Sequence, residues 1–424
     1  THHHTDRHTH TSPLEFHARS ARDRRDDTPP STPARASELE ETPPSVTNGV
    51  DVMCTSFADS STRMASLFRS IAFAHHGYRH FLADARVDAT LDPLPARALV
   101  GCECVVTGAN RGLGLEVARA LVSRGATVHC VCRNHERGMM AMDALREDAE
   151  RGGGTVKTHA VDLSSLAQIR GFVERFASSG TRLHALVCNA GAMRHERGDT
   201  SEGYEYNFAV NTLGTHVLMS GLRPVLGRTA REETNRETRS GRGGGGYYAP
   251  RVVVVSSGGM LTEPLEVKDL EFKRAKKFDA VKQYARGKRH QVALAEHWAG
   301  VESANAGEDV IASGKGYVGY YSMHPGWVDT PGVAEALPKF YQSLRGKLRT
   351  PAQGADTIVY LLTEDARKLQ PGAFYFDRAP RPKHFTFGLT RYEPKNVQTL
   401  LEKLNSIAAE GSVRSEKQLR GDAI

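Results

Sequence analysis

Between Val105 and Gly114 the chain reads Val-Val-Thr-Gly-Ala-Asn-Arg-Gly-Leu-Gly, with a buried-strand pattern before it and a helical pattern after it. Gly108, Gly112 and Gly114 permit a sharp turn and a close backbone approach that a β-carbon would block. The unpaired amides and positive dipole end of the following helix attract a diphosphate to that turn. A glycine pattern by itself is a weak signal, and its setting between a strand and a helix is what makes it diagnostic.

From about residue 98 to 380, strand-like and helix-like segments alternate, which predicts an α/β fold: a Rossmann-type doubly wound parallel sheet with helices on both faces. Strands are expected near 100–106, 127–132, 156–161, 184–189, 251–256, 317–323 and 373–376, and a helix over 112–124 closed by Gly125. Two oversized connections, 228–249 with its Arg/Gly tract and 301–316, read as flexible surface insertions. Both precede a strand, so they belong at the sheet edge opposite the ligand crevice.

Outside that region the character changes. Residues 1–63 are rich in His, Arg, Asp, Ser, Thr and Pro and read as a disordered leader. Residues 64–97 read as a basic amphipathic helix and linker, and 381–424 as a C-terminal helical tail. Three readings of the 64–86 helix stay open: peripheral docking on a membrane, an organellar presequence, and packing on the chain's own fold.

Composition limits the function classes. No apolar run approaches the length of a membrane-spanning helix. Residues 1–63 carry 7 Arg against 10 Asp or Glu, so the net charge of +7 leaves +10 for the rest of the chain. That balance suits an anionic cofactor, and without a reading module it does not argue for a nucleic-acid partner. Six cysteines in 424 residues do not resemble a disulfide framework, which points inside the cell to a reducing compartment, the cytoplasm or an organelle. Cys102/Cys104 and Cys130/Cys132 lie in apolar, β-rich runs as core residues, and no metal site is expected.

The second strand ends in Cys132-Arg133-Asn134, where a dinucleotide without a 2′-phosphate usually meets an acidic side chain. A guanidinium there, with Arg111 in the glycine loop, offers bidentate donors to a phosphate and favours NADP(H). Residues 284–288 read Tyr-Ala-Arg-Gly-Lys, and the four-residue spacing puts Tyr284 and Lys288 on one helical face. A free tyrosine, with a pKa of about 10, is a poor acid at neutral pH, and a neighbouring ammonium is expected to lower it. The strand 251–256 ends in Ser256 and Ser257, hydroxyls suited to holding a carbonyl oxygen.

With these residues in view, the chain from the glycine loop to about residue 380 resembles the short-chain dehydrogenase/reductase superfamily, and within it the retinol-dehydrogenase-like group. Ser256-Ser257-Gly258-Gly259-Met260-Leu261, Ser322-Met323-His324-Pro325-Gly326-Trp327 and Ala352-Gln353-Gly354-Ala355-Asp356-Thr357 carry the closer likeness. The helix from Met64 resembles the start of a member of that group, which implies that residues 1–63 are an addition.

The resemblance implies a catalytic tetrad of Asn211, Ser257, Tyr284 and Lys288, with Asn211 holding a water in a proton relay to Lys288. It implies cofactor contacts from Gly108, Asn110, Arg111, Gly112, Leu113 and Gly114, from Arg133 and Asn134, and from Asp162 and Leu163 beside the adenine. Asn189, Ala190 and Gly191 would close the cofactor crevice, and Pro325, Gly326 and Thr330 would clasp the nicotinamide beside Tyr284 and Lys288. Two departures stand out: Cys188 replaces a second asparagine, and 27 residues separate Ser257 from Tyr284, about twice the spacing common in the superfamily.

The expected activity is hydride transfer between NADP(H) and a hydrophobic carbonyl or alcohol. An apolar segment, Val333 to Leu348, follows the clasp as a substrate lid. The alternative from another class is a non-catalytic NADP(H)-binding scaffold or sensor, and a homo-oligomer is left open.

Overall fold

A computed structural model describes residues 99–240, 249–384 and 390–420. The expectations for residues 1–63 and 64–97 lie outside the described residues. Eight strands form one sheet in the order β3-β2-β1-β4-β5-β6-β7-β8: β1 (Glu103–Thr107), β2 (Thr127–Cys132), β3 (Thr155–Ala160), β4 (Ala185–Cys188), β5 (Arg251–Val255), β6 (Gly319–Met323), β7 (Phe374–Phe376) and β8 (Ala379–Arg381). The first seven are parallel, and β8 returns antiparallel to β7.

The principal helices are α1 (Gly112–Val122), α2 (His135–Ala144), α3 (Arg146–Gly152), α4 (Leu166–Ser178), α5 (Gly214–Ser240), α6 (Ala280–Ala306), α7 (Glu308–Ser313), α8 (Pro331–Ala336), α9 (Pro338–Ser343), α10 (Pro351–Thr363) and α11 (Pro394–Arg420). Helices cover both faces because parallel strands joined by crossovers bury both sides, so the central strands read as continuous apolar runs. All five residues of β5 are buried, including Arg251, whose guanidinium donates to the Leu361 carbonyl at 2.7 Å.

One core packs Phe172 of α4, Leu222 of α5, Leu294 of α6 and Leu400 of α11 against the sheet. The other packs Val117 and Leu121 of α1 and Ile358 and Leu362 of α10 on the opposite face. Each such side chain contributes about 1.5–3 kcal/mol on burial. No helix among the described residues is long and apolar enough to cross a membrane.

Three elements differ from the sequence reading. The connection 228–249 is helical as far as Ser240, because Thr229 and Ala230 are buried and Thr229 Oγ1 accepts from the Leu183 amide at 2.9 Å. Residues 301–316, expected to be a loop, finish α6 and form α7, with Gly307 (φ 82°) breaking the helix between them and Gly314 (φ 72°) closing α7. The third is β8, which the sequence reading lacks. It follows a two-residue turn in which Asp377 (φ 50°) and Arg378 (φ 58°) are both left-handed, the geometry hairpins favour but one normally signalled by Asn or Gly. Ion pairs hold that turn: Arg349 to Asp377 at 2.6 Å and Arg378 to Asp356 at 2.8 Å.

Candidate active site

The strand order reverses between β1 and β4, and a cleft of about 600 Å³ opens there at the carboxyl ends of the strands. The glycine loop forms one wall. Gly108 and Gly112 adopt positive φ (67° and 55°), and a β-carbon on Gly114 would stand 2.4 Å from the Gly108 carbonyl oxygen. Thr107 and Asn189 fasten the loop to β4. The Thr107 hydroxyl accepts from the amides of Asn189 and Ala190, each at 3.0 Å, while the Asn189 side chain donates to the Thr107 carbonyl at 2.8 Å. Arg111 precedes α1, and its side chain makes no capping hydrogen bond to the first turn, which leaves those amides available to a diphosphate.

At the end of β2, Arg133 donates to the Tyr206 hydroxyl at 2.7 Å, and the Arg194 guanidinium lies 3.3 Å from the Tyr206 ring centre. The Asn134 side chain accepts from the Arg137 amide and caps α2, which brings Arg137 to the cleft. Asp162 accepts from the amide and hydroxyl of Ser164, and Asp162 and Leu163 both line this end. Arg111 forms a fork with Glu335 of α8, at 2.5 and 2.7 Å.

The opposite end of the cleft gathers Ser257, Tyr284 and Lys288. The two serines after β5 divide by direction. Ser256 is buried and its hydroxyl donates to the Lys288 carbonyl at 2.9 Å, whereas Ser257 lines the cleft and is hydrogen-bonded to Tyr284. Helix α6 starts at the Asp279 cap, and one turn apart on it stand Tyr284 and Lys288, with the Lys288 ammonium 5.4 Å from the Tyr284 ring centre. Burial pushes the Tyr284 hydroxyl up to about 12, opposed by the Ser257 hydrogen bond. Burial likewise lowers the Lys288 ammonium to about 8. The sequence reading expected a lysine-lowered tyrosine, but desolvation acts on both groups in favour of their neutral forms.

Asn211 lies behind this wall in a π-helical turn, Ala209–Leu213, a type of irregularity that concentrates at functional sites. Its side chain bonds both ways to Ala192, accepting at 2.9 Å and donating at 2.7 Å. Its backbone carbonyl accepts from Gln291 at 2.7 Å. Gly191 packs closely here, since a β-carbon there would lie 3.2 Å from the Asn211 side-chain oxygen and 3.3 Å from the Lys288 nitrogen.

Pro325, Gly326 and Thr330 complete the cleft, with Thr330 capping α8 and its methyl 3.2 Å from where a Gly112 β-carbon would be. The expected site residues other than Asn211 therefore line one cleft, while Asn211 buttresses it. The sequence reading missed Arg137, Arg194, Tyr206 and Gln291. Arg137 was discoverable, four residues after Arg133 in the first turn of α2; the other three come from distant segments with no local motif.

The family model described as short chain dehydrogenase matches residues 103–231. Dehydrogenase/reductase SDR family member 12 of Homo sapiens is 38% identical over 348 residues, covering 81% of this chain and 98% of its own length. Polyprenol dehydrogenase of Danio rerio is 29% identical, covering 67% of this chain and 84% of its own length. The crystal structure of an uncharacterized protein from Mycobacterium Paratuberculosis shares the fold, with a TM-score of 0.50 at 22% identity, covering 73% of this chain and 94% of that one.

Proposed function

This chain belongs to the short-chain dehydrogenase/reductase family, and from that premise we propose that it is an NADP(H)-dependent oxidoreductase interconverting a hydrophobic carbonyl compound and its alcohol. The observation that carries the reading is the meeting of Ser257, Tyr284 and Lys288 with the glycine loop in one cleft.

A bound nicotinamide dinucleotide supplies or accepts the hydride. The protein's part is to hold the carbonyl and manage its proton. Ser257 holds the carbonyl oxygen by hydrogen bonding, and the Tyr284 hydroxyl, protonated at neutral pH because burial raises it, gives that oxygen its proton during reduction. Lys288 lies one turn below and stabilises the tyrosinate left behind, so the same pair serves the reverse reaction. Trp327, Val333, Ala336 and Leu337 add apolar lining to the cleft that Tyr284 also lines, which suits a lipophilic substrate. A relative named for a polyprenol agrees with that class.

The preference for the 2′-phosphorylated cofactor rests on Arg133 at the end of β2 and Arg137 in the first turn of α2, with Arg111 able to exchange Glu335 for a phosphate. Fluorescence titration should give NADPH at least tenfold tighter binding than NADH, about 1.4 kcal/mol. Arg133→Ala should erase most of that difference. Equal affinities in the unaltered protein would overturn the cofactor assignment. NADPH oxidation against lipophilic aldehydes and ketones tests the chemistry, and tight NADPH binding with no turnover of any of them would favour the non-catalytic scaffold or sensor.

A further inference from the structure

We propose that Gln291 is a positioning residue for this reaction, its side-chain amide bridging the Lys288 ammonium and the Asn211 carbonyl and so fixing where the lysine points. The inference rests on the oxidoreductase reading above. Gln291 lies three residues after Lys288 on α6 and is fully buried. Its Oε1 accepts from Lys288 Nζ at 3.0 Å, and its Nε2 donates to the Asn211 carbonyl at 2.7 Å and to Thr215 Oγ1 at 3.2 Å. Turning the amide over would set NH₂ against an ammonium and oxygen against a carbonyl, so the network admits one orientation.

The lysine is held on several sides. Lys288 Nζ also donates to the Val255 carbonyl at 2.8 Å, which leaves one of its three protons for the Tyr284 side. Gly191 closes against Nζ, and Ser256 fixes the backbone of the same residue. The family resemblance links Asn211 to Lys288 through a water that can pass a proton along. Here an amide spans the two groups, and an amide at neutral pH anchors its partners without releasing a proton.

The electrostatic consequence has a definite sign. The ionisable groups facing Lys288 are Tyr284 from its own helix and Cys188 from the end of β4, whose thiol burial pushes up to about 12 and so keeps neutral. From β5 and the π-helical turn come only neutral carbonyl and amide groups. The Gln291 oxygen therefore favours the charged lysine against a burial that disfavours it. Without that oxygen Lys288 loses its proton at a lower pH, and turnover that needs the ammonium fails earlier as pH rises.

The test follows the lysine directly. Protein carrying ¹⁵Nζ-labelled lysine is titrated by NMR, with Lys288→Ala assigning the signal, alongside kcat for NADPH oxidation against pH. Gln291→Leu should move the Lys288 midpoint and the alkaline limb of kcat down by about one pH unit or more. Gln291→Glu, with a carboxylate against the ammonium, should move both up, and it carries the test if the leucine variant does not fold. Unchanged midpoints in both variants, or activity losses equal at every pH, would overturn the proposal even in a fully active enzyme. A Lys288 midpoint that shifts as expected in a protein that reduces no carbonyl would support the bridge and sink the oxidoreductase reading.

Discussion

The glycine-loop wall of the cleft and the segment facing it, α8 with α9, are held by different means. On the first, part-buried hydrogen bonds between side chain and backbone join Thr107 of β1 to Asn189 just after β4, and the close approach at Gly114 leaves no space for one further carbon. On the second, α8 has no fully buried residue, and its links across the cleft are polar and exposed: Arg111 to Glu335, and His195 to the Ala336 carbonyl at 2.6 Å. Of these two six-residue helices, both starting at proline, only α9 buries a side chain, Phe340, whose ring packs against Trp327 at 4.5 Å between centres. One wall is locked by close backbone packing, while α8 on the other meets it through exposed polar links.

If that contrast is right, changes on the two sides should differ in kind as well as size. The largest effect belongs to the buried chemical wall. Tyr284→Phe should retain the fold and NADPH binding while losing about 100- to 10,000-fold in turnover, because the ring still packs but the transferable proton is gone. Single-turnover kinetics on protein checked by circular dichroism would measure it, and wild-type rates would refute the assigned mechanism.

Next in size is Gly114→Ala. The added carbon must displace the Gly108 carbonyl or the Asn189 amide, neither of which is the loose end of a flexible chain. A cost of about 1–3 kcal/mol in stability is expected, with weaker dinucleotide binding to match. Thermal melts with and without NADPH would show it, and an unchanged melting temperature would mean that this wall is softer than its packing implies.

The smallest effect is expected on the facing side. Glu335→Ala removes an exposed ion pair, so stability should stay within about 1 kcal/mol of the original. Freed from Glu335, Arg111 should bind NADPH equally well or a few-fold better, and KM for a bulky substrate should move more than kcat. A fall in melting temperature as large as that of Gly114→Ala would erase the distinction between the walls.

Much of this was legible in the chain itself. Seven strands, the glycine loop and the pairing of Tyr284 with Lys288 follow from periodicities and spacings within a few residues of one another. Residues 301–316 misled because Gly307, Gly314 and Gly316 look like a loop when counted, yet Gly307 falls between two helices and the other two follow the end of α7. The β7–β8 hairpin was hard to see because Asp377 is followed by Arg378 and not by the glycine of the usual turn pair; their left-handed backbone is supported by Arg349 and Asp356, which lie more than twenty residues away in sequence.

The sequence by itself determined what local sterics and helical or strand period dictate: a doubly wound sheet, a glycine turn at its switch point, and a tyrosine and lysine one turn apart. Only the tertiary structure decided that Ser256 turns inward to the Lys288 carbonyl, that Gln291 reaches both Lys288 and Asn211, and that Arg111 crosses to Glu335. The physical reason is range. A turn or a helical spacing is stabilised by its own neighbours, whereas a buried amide's partners are chosen by packing, 80 residues away in the case of Gln291 and Asn211.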